Sequence, residues 1–193
     1  SALRVNAVLT NLNLRFNHIG PEGGVAISKA LAVNGVLTDL NLFDNNIGPE
    51  GGVAIGKALA VNEVLNVLDI SRNDIGPEGG LAIGEALAVN AVLTVLNLFD
   101  NSIGDVGAMA LASALRVNGV LTSLDVGFNS LTEEAALGII RVERQRNKLT
   151  SLALENCGIG PTGAAEIAEY VSGSGVLTEL DLARSGIDDA GAE

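Results

Sequence analysis

LTNLNLRFNHIGPEGGVAISKALAVNGV occupies residues 9–36, and LTDLNLFDNNIGPEGGVAIGKALAVNEV follows at once over residues 37–64. The register continues from Leu65, Leu93, Leu121, Leu149 and Leu177, each step 28 residues long with no insertion. The chain thus holds six full units and a seventh cut at Glu193. Residues 1–8 read as the tail of an earlier unit, since Ala2 to Val8 match Ala30 to Val36. Self-similarity at a fixed period of this size is the signature of a stacked repeat, so residues 1–193 are read as one array.

Each unit has two halves. The first is LxxLxLxxNxI, as in Leu37, Leu40, Leu42, Asn45 and Ile47. Leucines two residues apart lie on one face of a short strand. The second half opens at Gly-Pro-Glu-Gly. Proline suits the first helical position, where its missing N–H costs nothing. Glu22 suits the positive end of the helix dipole, and Ile27, Ala30 and Leu31 follow at helical spacing. Gly23 is expected to let neighbouring elements pack closely. Asn34 is expected to end the helix in a left-handed cap, with Asn62, Asn90 and Asn118 at the same place. One such unit cannot bury both its faces, whereas stacked units can. Helices need roughly 10 Å per neighbour and strands about 4.8 Å, so the stack curves with a parallel sheet on its concave side and helices on its convex side.

The pattern LxxLxLxxNxIxxxGxxxIxxxLxxNxV, met almost letter for letter in the first three units, resembles the ribonuclease-inhibitor type of leucine-rich repeat. Its constant length is similar to the repeats of NOD-like receptors, whereas the inhibitor itself alternates two lengths and is cysteine-rich. The resemblance implies an α/β fold: a right-handed leucine-rich repeat solenoid, a horseshoe arc that binds proteins without catalysis. The Ran GTPase-activating proteins share the repeat class, which leaves a GTPase-regulating surface as an alternative, although no motif here singles them out. Two departures stand out. The column Asn17, Asn45, Asn73, Asn101 and Asn129 ends in Cys157 and Ser185, cysteine being the family's usual alternative there. Unit five reads LTEEAALGIIRVERQRNKL. Thr132 there can cap the helix, but Glu143 falls where Leu31, Leu59, Leu87 and Leu115 stand in the other units, so that helix must pack differently.

Composition narrows the partners. The formal net charge is −12, with 48% hydrophobic and only 18% charged residues. An acidic chain lacks the basic stripes that nucleic acid or an anionic membrane requires, so the expected partner is a protein, plausibly a basic one. No apolar run approaches the length of a membrane span. The single cysteine cannot form an internal disulfide, which fits a cytoplasmic location. The chain begins in one repeat and stops within another. Repeat arrays need polar caps, so either it is a segment of a longer sensor or scaffold protein or it associates through its open ends.

Apparent catalytic motifs dissolve on the repeat. GGVAIGKA at 51–58 starts like a phosphate-binding loop, but Ala58 replaces the final Ser/Thr and Gly56-Lys57 falls inside the helix, where free N–H groups are lacking. His18 is the only histidine, so neither a metal site nor a nucleophile–histidine–acid triad can be assembled around it. Cys157 reads as a buried structural thiol. Arg141 to Lys148 reads as cations opposing a helix dipole. No catalytic residue, metal ligand or cofactor is assigned.

With the leucines inside, the intervening strand positions form columns on the concave face. One reads Asn13, Asn41, Asp69, Asn97, Asp125, Ala153, Asp181; the next Arg15, Phe43, Ser71, Phe99, Gly127, Glu155, Ala183; the third Phe16, Asp44, Arg72, Asp100, Phe128, Asn156, Arg184. All four phenylalanines fall in the last two columns, none at a leucine position. Exposed aromatics beside arginine typify interface hot spots. The partner-binding candidates are therefore Phe16, Phe43, Asp44, Asp69, Arg72, Phe99, Asp100, Asp125 and Phe128. Two other readings stay open: Arg72 neutralising Asp44 and Asp100, and the rings folding over the strand ends as partial core.

Overall fold

A computed structural model describes residues 2–187. The part of the seventh unit beyond Ile187 lies outside the described residues. After a short 3-10 turn at Ala2–Arg4, strands and helices alternate: β1 (Asn11–Asn13), α1 (Gly20–Leu31), β2 (Asp39–Asn41), α2 (Gly48–Leu59), β3 (Val67–Asp69), α3 (Gly76–Leu87) and β4 (Val95–Asn97). Then follow α4 (Gly104–Leu115), β5 (Ser123–Asp125), α5 (Glu133–Arg146), β6 (Ser151–Ala153), α6 (Pro161–Gly173) and β7 (Glu179–Asp181). The strands form one parallel sheet in chain order, and each residue pairs with its equivalent one unit on, Leu40 with Leu68 and Leu68 with Leu96. The architecture is an α/β solenoid.

Helix packing depends on glycine. A Cβ on Gly52 would lie 2.7 Å from Ile75 Cβ and 3.1 Å from Gly79 Cα, and one on Gly56 would lie 2.6 Å from the Ala82 backbone. Close approach of successive helices thus rests on the second glycine of the pair and on Gly56 and Gly84. Gly23, assigned that task from sequence, instead makes room for Ile19 of its own turn. Leucines and isoleucines of both halves meet in one continuous core running from unit to unit.

Two asparagine ladders stitch the units together. In the first, Asn45 Nδ2 donates to Leu14 O (2.8 Å) and Leu42 O (2.9 Å), and Asn45 Oδ1 accepts from Asn17 N (3.1 Å). Asn73, Asn101 and Asn129 repeat this one unit on, all of them buried. Cys157 is a weak rung, its Sγ facing Val126 O at 3.9 Å, and Ser185 carries the ladder one unit further by donating its Oγ–H to Leu154 O (3.0 Å).

The second ladder corrects the expected left-handed caps. Helix α1 ends at Leu31 with Ala32 still right-handed, and Asn34, Asn62, Asn90 and Asn118 do not have positive φ. Each is buried instead. Asn62 Nδ2 donates to Leu31 O and Asn34 O of the preceding unit, while its Oδ1 accepts from Val64 N and Leu65 N. Burying an amide with both ends satisfied is what such a site requires. Among the described residues, Asn147 at the end of α5 alone adopts the left-handed cap, with φ 48°.

Unit five keeps the ladder by dividing it between two residues. Arg146 stands in the asparagine position and donates to Asn118 O (2.7 Å) and Leu121 O (2.6 Å). Glu143, fully buried, accepts from Leu149 N (3.1 Å) and pairs with Arg146 Nη1 at 2.7 Å. Thr132 caps α5 by accepting from Ala135 N. In the next unit Ser174 Oγ accepts from Val176 N and Leu177 N.

Candidate functional site

Strand residues alternate as expected: Leu40, Leu68, Leu96, Leu124 and Leu152 are buried, and their neighbours face out of the sheet. The first outward column is partly structural. Asn41 Oδ1 accepts from Phe43 N (3.0 Å), Asn97 Oδ1 from Phe99 N (2.9 Å) and Asp125 Oδ1 from Gly127 N (2.9 Å). Asp69 accepts from Ser71 N and from Asn41 Nδ2 (2.8 Å). Such side chains close turns onto their own backbone, which explains why Asn and Asp hold every position of this column but Ala153.

After each strand the chain turns sharply. The third column takes positive φ in all seven units: Phe16 59°, Asp44 53°, Arg72 54°, Asp100 53°, Phe128 55°, Asn156 56° and Arg184 57°. This turn aims the side chains of the last two columns at one another across units. Phe16 and Phe43 meet edge to face with centroids 5.0 Å apart. The Arg72 guanidinium lies 5.6 Å from the Phe43 ring centre and 5.9 Å from that of Phe99. Phe99 and Phe128 are 5.1 Å apart, and the Arg184 guanidinium sits 5.5 Å from Phe128. Six residues from units one to five and seven thus form one strip in which each pair of rings is followed by a guanidinium group. Gly127 leaves room for it, because a Cβ there would come within 3.2 Å of the Phe99 ring.

Of the expected residues, the structure brings Phe16, Phe43, Arg72, Phe99 and Phe128 together. Arg72 pairs with Asp100 at 3.5 Å, and no ion pair joins it to Asp44 among the described residues. The rings are not core: Phe16 is 63% exposed, and Phe43, Phe99 and Phe128 are half-buried. Arg184 was missed as a site residue. Its signal was its place in Phe128's column two units on.

Beside the strip the sheet face is acidic. Burial pushes the Asp125 carboxyl above its usual range. The Gly127 N–H pulls it back, while Asp181, Glu155 and Asp69 push it further up. Arg184 reaches Glu155 only at 3.9 Å.

The other singled-out residues hold no such assembly. Cys157 is fully buried, and burial with a contribution from Asp125 pushes its thiol up to about 12. His18 is exposed, 3.3 Å from Asn46 Oδ1. The basic run in α5 does more than oppose a dipole: Arg141 pairs with Glu166 and Glu134, Arg144 with Glu169, and Arg146 with Glu143. Among the described residues no cluster of three or more His, Cys, Asp or Glu is placed to hold a metal, and no helix is long and apolar enough to cross a membrane.

A family model described as Leucine Rich repeat matches residues 5–28, 33–56, 61–84, 89–112, 146–168 and 176–193. The unmatched stretch between 112 and 146 contains most of the irregular unit five. No curated protein matches the chain. Among solved structures it is similar to the leiomodin-1 actin-binding site 2 (ABS2), with a TM-score of 0.58 and 27% identity over 69% of this chain and 78% of that one.

Proposed function

The chain belongs to the leucine-rich repeat family, and on that premise we propose that it is a protein-interaction module that seats a partner on its concave face, against the strip of rings and guanidinium groups. One observation carries the reading. The third column is left-handed in every unit, a conformation that Asn and Asp tolerate and that costs other residues of order 1–2 kcal/mol. Asp44, Asp100 and Asn156 suit it. Phe16, Arg72, Phe128 and Arg184 do not, yet they stand there and build the strip. Their side chains serve something other than the local turn. Aromatic and arginine side chains are the groups that concentrate binding energy at interfaces.

The acidic floor around Asp69 and Asp125 favours a basic partner surface. The finer likeness, to the ribonuclease-inhibitor type and the unvarying length of NOD-like receptor repeats, supports recognition rather than catalysis. The leiomodin-1 segment makes actin the first partner to titrate. The general test is site-specific cross-linking. A benzoylphenylalanine placed at Phe43 should capture the physiological partner far more efficiently than one placed at the exposed convex residue Val89. Equal or stronger capture from Val89 would remove the concave assignment.

A further inference from the structure

The convex side carries furrows between successive helices. Those across α1–α2 and α2–α3 have volumes of about 450 and 370 Å³, whereas the furrow between α4 and α5 reaches about 620 Å³. Met109, Ala112, Ala135 and Gly138 line its floor and walls, and Arg116 stands at its far end. Met109, the chain's single methionine, is 59% exposed.

Gly138 is the telling residue. Gly23, Gly24, Gly51, Gly52, Gly56, Gly79, Gly80, Gly84, Gly107 and Gly163 all lie inside helices, and a Cβ on any of them would come under 3.0 Å from another group. Packing requires those glycines. A Cβ on Gly138 would meet nothing within 4 Å. The equivalent residues of units one to four, Ala26, Ala54, Ala82 and Ala110, are alanine, and that of unit six is Glu166. A glycine inside a helix is less stable than alanine, so alanine here would add stability and narrow the furrow.

The charges around the furrow are uneven. Both carboxylates stand at the N-terminal end, in the first turns of their helices, where Asp105 accepts from Thr132 N (2.8 Å) and Oγ1 (2.9 Å) and Glu134 pairs with Arg141. Arg116 is exposed and forms no ion pair among the described residues. A trough with an apolar middle, a pliable methionine and, at the end away from Asp105 and Glu134, an unpaired guanidinium complements an apolar side chain followed by a carboxylate. Arg116, the right-handed C-cap of α4, follows Met109 by seven residues, about 10 Å along the helix axis. A partner helix presents two residues at that distance at positions i and i+7.

We infer that the α4–α5 furrow is a second docking site, on the convex side, for an amphipathic helix of a protein partner with an apolar anchor at i and an acidic residue at i+7. Helix-in-groove recognition of this kind is anchored by apolar side chains at helical spacing.

The unique methionine supplies the readout. Protein carrying a 13C-methyl label at Met109 is titrated with a capped alanine–glutamine helical peptide holding leucine at positions 4 and 8 and glutamate at 11. A control peptide has lysine at 11. The glutamate peptide should shift the Met109 signal saturably, and the lysine peptide should bind at least tenfold more weakly. Arg116→Glu should reverse that order. Gly138→Ala should raise the melting temperature by about 2–4 °C and weaken binding several-fold. Gly138→Leu should abolish the shift. The double variant Phe43→Ala/Phe99→Ala should leave the titration unchanged, so this site and the concave one stand or fall separately. No shift at millimolar peptide, equal affinity for the two peptides, or full binding to folded Gly138→Leu would each overturn the inference. So would hexanoate competing as tightly as the peptide, since the site would then be one for a small carboxylate.

Discussion

Asp125 shows how one side chain serves both turn and surface. Its Oδ1 holds Gly127 N, and its neighbours Asp181, Glu155 and Asp69 add negative charge around it. Burial above all, and then those charges, hold its carboxyl above the ordinary range, so the unfolded chain holds the carboxylate more readily than the folded one. The ionised form therefore subtracts stability at neutral pH, and the subtraction fades as pH falls and both states become protonated. Asp125→Asn keeps the acceptor for Gly127 and copies Asn13, Asn41 and Asn97. It should be at least as stable as the wild type at pH 7, with any advantage vanishing near about pH 3. Denaturant titration at the two pH values checks this, and an advantage that grows towards acid would contradict it. At this scale the sequence was readable where a column has one job. The buried Leu columns were legible from spacing alone, whereas the Asn45 column was legible as a position and not as a ladder between units. The Asn34 column was misread, because a left-handed cap and an inter-unit amide ladder both call for asparagine near a helix end, and only the neighbouring carbonyls distinguish them.

Among elements, α5 is the informative one. A buried glutamate in a leucine column looks like a flaw in sequence. In the fold, Glu143 and Arg146 together perform the two halves of the task that Asn118 performs alone: one accepts the strand-side N–H groups, the other donates to the preceding unit. Removing one member leaves the other charge buried and alone, which costs about 3–5 kcal/mol. Glu143→Leu and Arg146→Asn should each destabilise the fold by about that much. Their double variant, which restores the residues of the regular units, should lose far less than the sum. Additive losses in a denaturant double-mutant cycle would show that the pair is not coupled. The departure of unit five was visible in sequence, but its remedy was not, since it depends on Arg146 reaching across to Asn118 and Leu121. The basic run was read only in part: Arg144 and Arg146 do stand in the last turn of α5, but Glu166 and Glu169, which pair with Arg141 and Arg144, lie on the next helix.

For the molecule as a whole, the fixed period made the solenoid legible, because a register without insertions forces each unit onto the last. Phe43, Arg72 and Phe99 were likewise legible as a group from their columns. The full strip was not. Its continuity from Phe16 to Arg184 rests on left-handed turns that swing third-column side chains over those of the second. Those turns also supply the most direct test of the account. The triple variant Phe16→Asn/Arg72→Asn/Phe128→Asn places in this column a residue that the fold itself uses at position 156. Its melting temperature and its affinity for the partner captured from Phe43 are compared with those of the wild type. The account predicts an equal or higher melting temperature, with affinity reduced at least a hundredfold. Undiminished affinity in a folded triple variant would contradict it.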